Sequence, residues 1–163
     1  MIRKNTKSSD SSSLSKFDNN VNQVSKVDDI NFWLEDSGVR TIRIGTDRWK
    51  VIMSHELTEY SIDIVAHEEW TSFATILYGI EEGVGNREFY RSVLELNSQL
   101  NSAHVALDSN RVVLIGNYPR EDSSQYRIYR DLNYFHTTHR YVYEELLSRA
   151  EQFDVKLRAT QYG

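Results

Sequence analysis

The chain has 163 residues, no cysteine and a formal net charge of −5. This length is typical of one ordinary domain, which can bury a core without covalent cross-links. The lack of cysteine excludes disulfides, thiolate metal ligands and cysteine nucleophiles, and the reducing cytoplasm is the expected location. The acidic balance disfavours general nucleic-acid binding, because contacts to phosphates need clustered Lys and Arg.

The two ends of the chain differ in composition from its middle. The first 22 residues are polar and rich in Ser, Asn and Lys, and we expect a flexible tail there. A basic, Ser-rich start also fits a transit-like segment, but no apolar core follows it, so a secretory signal is not predicted. We expect a single α+β domain over residues 23–157 and a short C-terminal tail over 158–163. No apolar run approaches the roughly 18 residues of a membrane span, so no membrane association is expected.

The first half of the domain predicts one helix followed by three strands. Ser25 is a candidate N-cap, an apolar stripe at helical spacing follows, and Gly38 is a natural stop. Three runs then alternate with a period of two, over residues 49–54, 60–66 and 70–78. Such runs joined by short polar turns predict an antiparallel meander. The third run is apolar on both faces, which is typical of a central strand or of a strand that a partner also covers. Residues 39–44 are compatible with a further short strand or with the lead-in to the first strand.

The second half predicts a helix, a hairpin and a long final helix. Asn86 is a candidate cap for the second helix. Two strands over residues 103–108 and 111–117 flank a polar turn, and Pro119 closes the hairpin. A helix with a near-heptad apolar rhythm then runs from about residue 131 to 155. The order helix, three-stranded meander, helix, hairpin, long helix predicts an α+β fold with helices packed on an antiparallel sheet.

One segment of the chain resembles a known family. Residues 89–118, FYRSVLELNSQLNSAHVALDSNRVVLIGNY, contain a helix ending in a Leu- and Asn-rich turn, a strand of the form A-x-x-A-L-D, a tight turn and a V-L-x-x return strand. This pattern resembles the YbjN-like and type III secretion chaperone-like proteins. The residues that carry the match are Leu94, Leu96, Asn97, Leu100, Ala103, Ala106, Leu107, Asp108, Val112, Val113 and Leu114.

The resemblance implies a fold and a way of working. The element order extends it over roughly residues 25–155 and implies a secretion-chaperone-like sandwich of sheet and helices. It also implies a compact acidic domain, often a homodimer, that carries out no chemistry. Secretion chaperones of this shape wrap an extended effector segment over exposed apolar patches, and YbjN itself is described only as a regulator.

Tyrosine and arginine interleave over residues 118–143. This composition is enriched in protein interfaces, and it can also stack on single-stranded bases. We favour a protein interface, because Glu121, Asp122 and Asp131 nearly cancel the arginines. With apolar sheet positions added, the candidate interface residues are Phe73, Tyr78, Tyr126, Arg127, Tyr129, Arg130, Tyr134, His139 and Val142. Core burial is expected for Trp33, Trp49 and Trp70, with one of them available to anchor a surface patch.

Histidines and carboxylates offer the remaining candidate chemistry. His136 and His139 are three residues apart on the last helix, a spacing compatible with two metal ligands, but a zinc site needs more ligands. His55 and His67 have neighbouring glutamates and fall at predicted strand ends. Paired carboxylates there could act in acid–base catalysis if burial separated the pKa values of the two carboxyl groups. We interpret both groups as structural or solvated residues. No catalytic residue, cofactor or metal site is predicted.

The sequence therefore predicts a non-catalytic protein-binding module, chaperone- or regulator-like, that acts as a homodimer and also binds an unidentified protein. Two alternatives stay open. One is a nucleic-acid-associated protein that uses the Arg/Tyr-rich segment 118–143. The other is an enzyme with a carboxylate/histidine site that no motif reveals.

Overall fold

The computed structural model describes residues 30–55, 58–81, 87–120 and 125–159. The helices are α1 (residues 30–36), α2 (Arg87–Glu95) and α3 (Gln125–Gln152), and a 3₁₀ turn (Leu96–Gln99) follows α2 directly. The strands are β1 (Arg40–Arg43), β2 (Arg48–His55), β3 (Thr58–Ala66), β4 (Trp70–Ile80), β5 (Ala103–Asp108), β6 (Arg111–Pro119) and β7 (Leu157–Ala159).

The strands form one antiparallel sheet in which β4 is central. The order across the sheet is β1-β2-β3-β4-β6-β5, and β7 pairs with the far end of β4. The predicted α+β class, the meander and the hairpin are therefore confirmed, and β4 has the central place that its two apolar faces indicated. The short strand expected within residues 39–44 is present as β1. β7 is an element that the sequence did not predict.

Alternation along the strands divides the sheet into a helix-covered face and an open face. Directly paired residues lie on the same face, and the register places Trp49, Ile64, Phe73 and Gly116 side by side across four strands. The first three of these are essentially fully buried, and Phe73 lies against Phe135 of α3 with ring centroids 5.7 Å apart. Burying a large apolar side chain in this way stabilises the fold by roughly 1.5–3 kcal/mol.

All three helices pack their apolar stripes on the same face of the sheet. Their fully buried residues are Ile30, Leu34, Phe89, Val93, Phe135, Val142 and Leu146. Two hydrogen bonds join α1 to its neighbours. Trp49 Nε1 on β2 donates to Asn31 Oδ1 at 2.9 Å, and the Tyr129 hydroxyl on α3 donates to the Trp33 carbonyl at 2.7 Å. Together with the buried apolar stripes, these two bonds hold α1 against the sheet and against α3.

α3 begins earlier and ends earlier than the sequence predicted. Its first turns contain mostly Tyr, Arg and other polar residues, so the apolar period becomes visible only near Leu132, although the helix begins at Gln125. At the other end, the Val155 N–H donates to the Ala150 carbonyl at 2.8 Å and Asp154 has a left-handed φ of 52°. This is a Schellman-type ending, which stops the helix before the predicted residue 155.

Several smaller predictions can also be placed. Gly38 has a φ of 69° and ends α1 as expected. The predicted caps Ser25 and Asn86 and the predicted tail 1–22 lie outside the described residues. Pro119 is the last residue of β6, paired with Trp70, and β7 carries the sheet past the predicted domain boundary at residue 157. Within the described ranges, no helix has both the length and the apolar character needed to cross a membrane.

Candidate protein-interaction site

Four of the nine predicted interface residues lie in the interior of the subunit. Phe73 and Val142 are fully buried, and Tyr78 and His139 are only 3% and 5% exposed. Alternation on a strand shows which residues share a face, but it does not show which face the helices cover. The buried and the open side of the sheet therefore look alike in the sequence. The side chain of Tyr126 lies outside the described residues.

The other four predicted residues lie in the N-terminal half of α3. Tyr129 is half-buried under its bond to α1. Arg127 and Arg130 both lie near the buried carboxylate of Asp131, at 3.9 and 3.0 Å. Tyr134 is 39% exposed, and Arg130 is exposed as well. Arg130 and Tyr134 are thus the predicted residues that α3 presents to solvent, away from the sheet.

Carboxylates at helical spacing match the arginines of α3. Arg140 Nε lies 3.2 Å from Glu144 Oε1, and Arg149 Nη2 lies 3.5 Å from Glu145 Oε2. The two arginines nearer the N-terminus share Asp131. Phosphate binding depends on an excess of positive charge, and these pairs leave little of it on the helix. The charges of these arginines are therefore largely balanced by carboxylates of the same helix.

The face of the sheet opposite the helices, here called the open face, is apolar at its centre. The register places Ala74 beside Ile115 and Ile76 beside Val113 in the middle of this face. Its apolar members are Ile42, Ile52, Val65, Trp70, Ala74, Ile76, Ala106, Val113 and Ile115. None of these is fully buried, and no described element packs over them. The open face is thus apolar along the middle of β4 and β6, whereas the ion pair between Lys50 and Asp63, 3.9 Å apart, lies on the same face across β2 and β3.

Trp70 lies at one end of the open face and is 43% exposed. Its ring contacts that of His67, with centroids 5.1 Å apart. Core burial was expected for all three tryptophans. It holds for Trp49, and Trp33 is half-buried, but for Trp70 the expectation was wrong, because its position on β4 points to the open face. An exposed indole on an apolar surface is the type of side chain that anchors protein interfaces.

A cleft opens where β3 separates from β4. β3 pairs with β4 only over residues 63–66, and β7 takes the same edge of β4 over residues 78–80. At the point of separation, the Thr75 hydroxyl donates to the Ser61 carbonyl at 2.7 Å. The first residues of β3 and the middle of β4 therefore border a gap, and α3 lies beneath it.

The cleft has an aromatic floor. Its volume is about 320 Å³, at the lower end of the roughly 300–1,000 Å³ of ordinary ligand pockets. Four aromatic rings stack in a row with nearly parallel planes. The ring centroids of Tyr60 and His139 are 3.7 Å apart, those of His139 and Tyr143 are 5.8 Å apart, and those of Tyr143 and Tyr78 are 4.6 Å apart. Ile76, Leu77 and Leu147 add apolar walls, and Glu59, Arg140 and Glu144 form a charged rim.

Burial keeps the imidazoles of His136 and His139 uncharged near pH 7. Burial, together with the nearby His136 and His55, lowers the pKa of His139 to about 3. Burial also lowers the pKa of His136, whose Nδ1 lies 2.5 Å from the Tyr60 hydroxyl. Because burial raises the pKa of Tyr60, its hydroxyl stays protonated, and its hydrogen bond with His136 joins two neutral groups. The stacked pair of Tyr60 and His139 in the floor of the cleft is therefore uncharged near pH 7.

The histidines considered for catalysis do not come together. His55 ends β2 beside the start of β3, whereas His67 follows the end of β3. A strand of nine residues separates them, which corresponds to roughly 30 Å. Among the residues that the structure describes, no cluster of three or more His, Asp or Glu side chains could hold a metal ion. His55 and His67 thus lie at opposite ends of β3 and cannot share one site.

The sequence did not reveal the cleft. Its residues come from β2, β3, β4 and α3, which are far apart along the chain, and the gap depends on β7. One local signal was available. His139 and Tyr143 are four residues apart on a helix, so their rings lie on the same side of it.

Comparison with solved structures identifies the fold. YbjN from E. coli is similar with a TM-score of 0.54 and 11% identity, over 84% of this chain and 98% of that one. The HopA1–SchA chaperone–effector complex gives 0.52 and 13%, over 76% and 96%. The heterodimeric ExoU–SpcU complex from the type III secretion system of Pseudomonas aeruginosa gives 0.51 and 18%, over 74% and 96%.

The chain therefore has the α+β fold that YbjN shares with type III secretion chaperones. The resemblance seen in residues 89–118 is confirmed at the level of the fold. No protein-family model and no curated protein matches the sequence. At these low identities the likeness concerns architecture, since function resides in the sites that a fold carries.

Proposed function

We propose that this chain is a non-catalytic protein-binding module, chaperone- or regulator-like, that acts as a homodimer in the cytoplasm and engages a further protein. The observation that carries the proposal is the open face, which has the exposed Ile76 in its apolar centre and the exposed Trp70 at one end. Burial of apolar surface contributes about 25 cal/mol per Å², so the exposed apolar residues grouped on β4 and β6 favour association. The open face is the proposed contact between the two protomers.

The similar structures support a binding role by analogy of fold. Two of them are complexes of two proteins, one described as chaperone–effector and the other as heterodimeric. The present chain has the same architecture and adds an apolar surface that is suited to a partner. The proposal rests on that surface, because a shared fold alone does not determine function.

α3 provides a second proposed contact surface. Of the predicted interface residues on α3, Arg130 and Tyr134 are exposed, and Arg127 and Tyr129 beside them are half-buried. α3 covers the side of the sheet opposite the open face, so the two surfaces point in different directions. A protomer can therefore contact its copy through the open face and a different protein through α3.

Sedimentation equilibrium at micromolar concentrations tests the homodimer. The variant Trp70→Ser/Ile115→Thr removes apolar area from the open face. The two hydroxyl side chains that replace the apolar ones are compatible with a strand. We expect the wild-type protein to be a dimer and the variant to dissociate at least tenfold more readily. The matched control is Leu94→Gln, which removes an exposed apolar side chain from α2, on the helix side, and should leave the dimer intact.

Two results would contradict the proposal. A wild-type protein that remains monomeric throughout the micromolar range has no functional homodimer. A dimer that Trp70→Ser/Ile115→Thr leaves unchanged, while Leu94→Gln weakens it, assembles through the helices instead of the open face.

A further inference from the structure

We propose that the cleft between β3 and β4 is a binding site for a small, neutral, two-ring heteroaromatic molecule that carries a hydrogen-bond acceptor. Such a site would serve a function beyond the protein binding proposed above. Three properties of the cleft support it. They are its volume, the orientation of the rings in its floor, and a buried imidazole in its wall that has an unused hydrogen-bonding capacity.

The volume of the cleft sets the size of the ligand. It is about 320 Å³, which is roughly twice the 150 Å³ of an engineered apolar cavity that binds benzene. Ile76, Leu77 and Leu147 line the cleft with aliphatic side chains, so a ligand that fills it buries apolar surface. A two-ring molecule is therefore the expected size, because a single ring would leave part of the cleft to water.

The stacked rings of the floor turn their edges to the cleft. Along the row Tyr60, His139, Tyr143 and Tyr78, the planes of neighbouring rings differ by 2°, 25° and 26°. Rings whose faces are turned to one another along a row present their edges to its sides. Ring edges carry partial positive charge and ring faces partial negative charge. A flat aromatic ligand that lies across the row thus gains edge-to-face contacts, which an aliphatic ligand cannot make.

His139 provides a specific polar contact for the ligand. Its side chain lines the cleft, is only 5% exposed, and makes no hydrogen bond to a described residue. Its Nδ1 is buried without a partner. A buried N–H without an acceptor is rarer in proteins than a buried acceptor without a donor, so the proton of this neutral ring belongs on Nε2. Nε2 is therefore the donor that His139 can offer to an acceptor atom of the ligand, such as a ring nitrogen.

The charges around the cleft favour an uncharged ligand. Tyr60 and His139 are neutral near pH 7. On the rim, Arg140 Nε lies 3.2 Å from Glu144 Oε1, so the guanidinium already has an anionic partner. Glu59 is exposed, and water screens its attraction for a cation. A charged ligand would therefore lose its hydration in the cleft without gaining a buried partner of opposite charge.

Quinoline and naphthalene are a matched pair of probes for this site. They have the same two-ring shape and differ at one ring position, which is an acceptor nitrogen in quinoline and a C–H group in naphthalene. Naphthoate adds a negative charge to the same frame. The dissociation constants at neutral pH are measured by titration of the isotopically labelled full chain, with its two-dimensional amide NMR spectrum as the readout.

We expect quinoline to shift the amide resonances of cleft residues such as Tyr60 and Leu147 and to leave that of Trp70 in place. His139→Phe keeps the stack on Tyr60 and removes the donor. The ratio of the quinoline to the naphthalene dissociation constant should therefore rise about fivefold in His139→Phe, which corresponds to the loss of one neutral hydrogen bond. Naphthoate should bind the wild type at least tenfold more weakly than quinoline.

A second pair of variants tests the site without His139. Leu147 is 42% exposed on the wall of the cleft, and Leu94 on α2 is 44% exposed outside it. Leu147→Asp places a charge beside the ligand and should weaken quinoline binding at least tenfold. Leu94→Asp is the matched control and should bind quinoline within twofold of the wild type. These two variants decide the question if circular dichroism shows that His139→Phe is unfolded.

Three results would overturn the inference. They are resonance shifts that are largest outside the cleft, an equal ratio of the two dissociation constants in the wild type and His139→Phe, or equal affinity of Leu147→Asp and Leu94→Asp for quinoline. The dimer-disrupting variant Trp70→Ser/Ile115→Thr retains every residue of the cleft and should keep its affinity for quinoline. A failure of the homodimer and a failure of the ligand site are therefore separate outcomes.

Discussion

The imidazole of His139 lies flat against the phenol ring of Tyr60, with centroids 3.7 Å apart and ring planes 2° apart. One residue comes from α3 and the other from β3, so the stack joins the helix layer to the sheet. It also places a titratable group in the interior, where burial holds the pKa of His139 at about 3. The stability of the fold therefore depends on pH.

The free energy of unfolding should decrease as the pH falls below about 6.5. That value is the ordinary pKa of a histidine in the unfolded chain. Between pH 6.5 and about 3 the unfolded chain takes up a proton that the folded His139 excludes, so protonation favours unfolding, whereas above pH 6.5 neither state binds the proton. For this one group the loss between pH 7 and pH 5 is about 2 kcal/mol.

Urea unfolding of the wild type and of His139→Phe at both pH values measures this effect. Phenylalanine keeps the stack on Tyr60 and does not titrate. The variant should lose about 2 kcal/mol less than the wild type between pH 7 and pH 5. An equal loss in both proteins would show that His139 is accessible to protons in the folded state.

Gly116 on β6 should not tolerate a methyl group. A Cβ at this position would lie 2.8 Å from Tyr118 Cε2 and 3.0 Å from Phe135 Cδ2, and both of these rings are buried. Overpacking of this kind typically costs about 1–3 kcal/mol, so Gly116→Ala should lower the free energy of unfolding by that amount. Gly45→Ala is the control, because its nearest neighbour would be Arg48 Cβ at 3.8 Å. Similar urea midpoints for the two variants would contradict the close packing.

Removal of the Asn31 side chain should destabilise the contact between α1 and the sheet. Asn31 Oδ1 accepts the hydrogen bond from Nε1 of the fully buried Trp49. Asn31→Ala leaves this donor in the core without its partner, at a cost of about 1–3 kcal/mol. Chemical denaturation with tryptophan fluorescence as the readout measures the change. Asn133→Ala, at an exposed position of α3, should stay within about 0.5 kcal/mol of the wild type.

Two threonines on β4 should respond differently to the same substitution. Thr75 and Thr71 are both buried on the helix-covered face, but only Thr75 donates to a carbonyl, that of Ser61. The Thr71 Oγ1 has no hydrogen-bond partner among the described residues. Thr75→Val should therefore cost about 1–2 kcal/mol, whereas Thr71→Val should be neutral or stabilising. Thermal unfolding distinguishes the two variants, and a reversed order would contradict the assigned bond.

The sheet could be predicted because strand alternation is a local signal. β2, β3 and β4 lie where the period of two placed them, and Gly38 ends α1 because its backbone has a left-handed φ. β7 could not be found in this way. Three residues carry no period, and the strand to which they bind lies far earlier in the chain.

The functional surfaces were harder to predict than the fold. Phe73 and Trp70 are three residues apart on the same strand, so they point to opposite faces. Alternation reports that difference, but only the packing of α1, α2 and α3 decides that Phe73 is covered and Trp70 is not. The resemblance in residues 89–118 identified the fold correctly because the helix and hairpin of that segment are formed by neighbouring residues.

The pairing of Tyr78 with Ala159 has a consequence for synthesis. During translation, β4 can pair with β3 and β6 as soon as these strands leave the ribosome, but its far end stays uncovered until residues 157–159 have been added. Long-range pairings of this kind form late, and unpaired strands expose a nascent chain to aggregation. A ribosome that stalls before residue 157 would therefore hold a sheet whose middle strand has an unpaired edge. The sheet is complete only after β7 has been synthesised and has paired with β4.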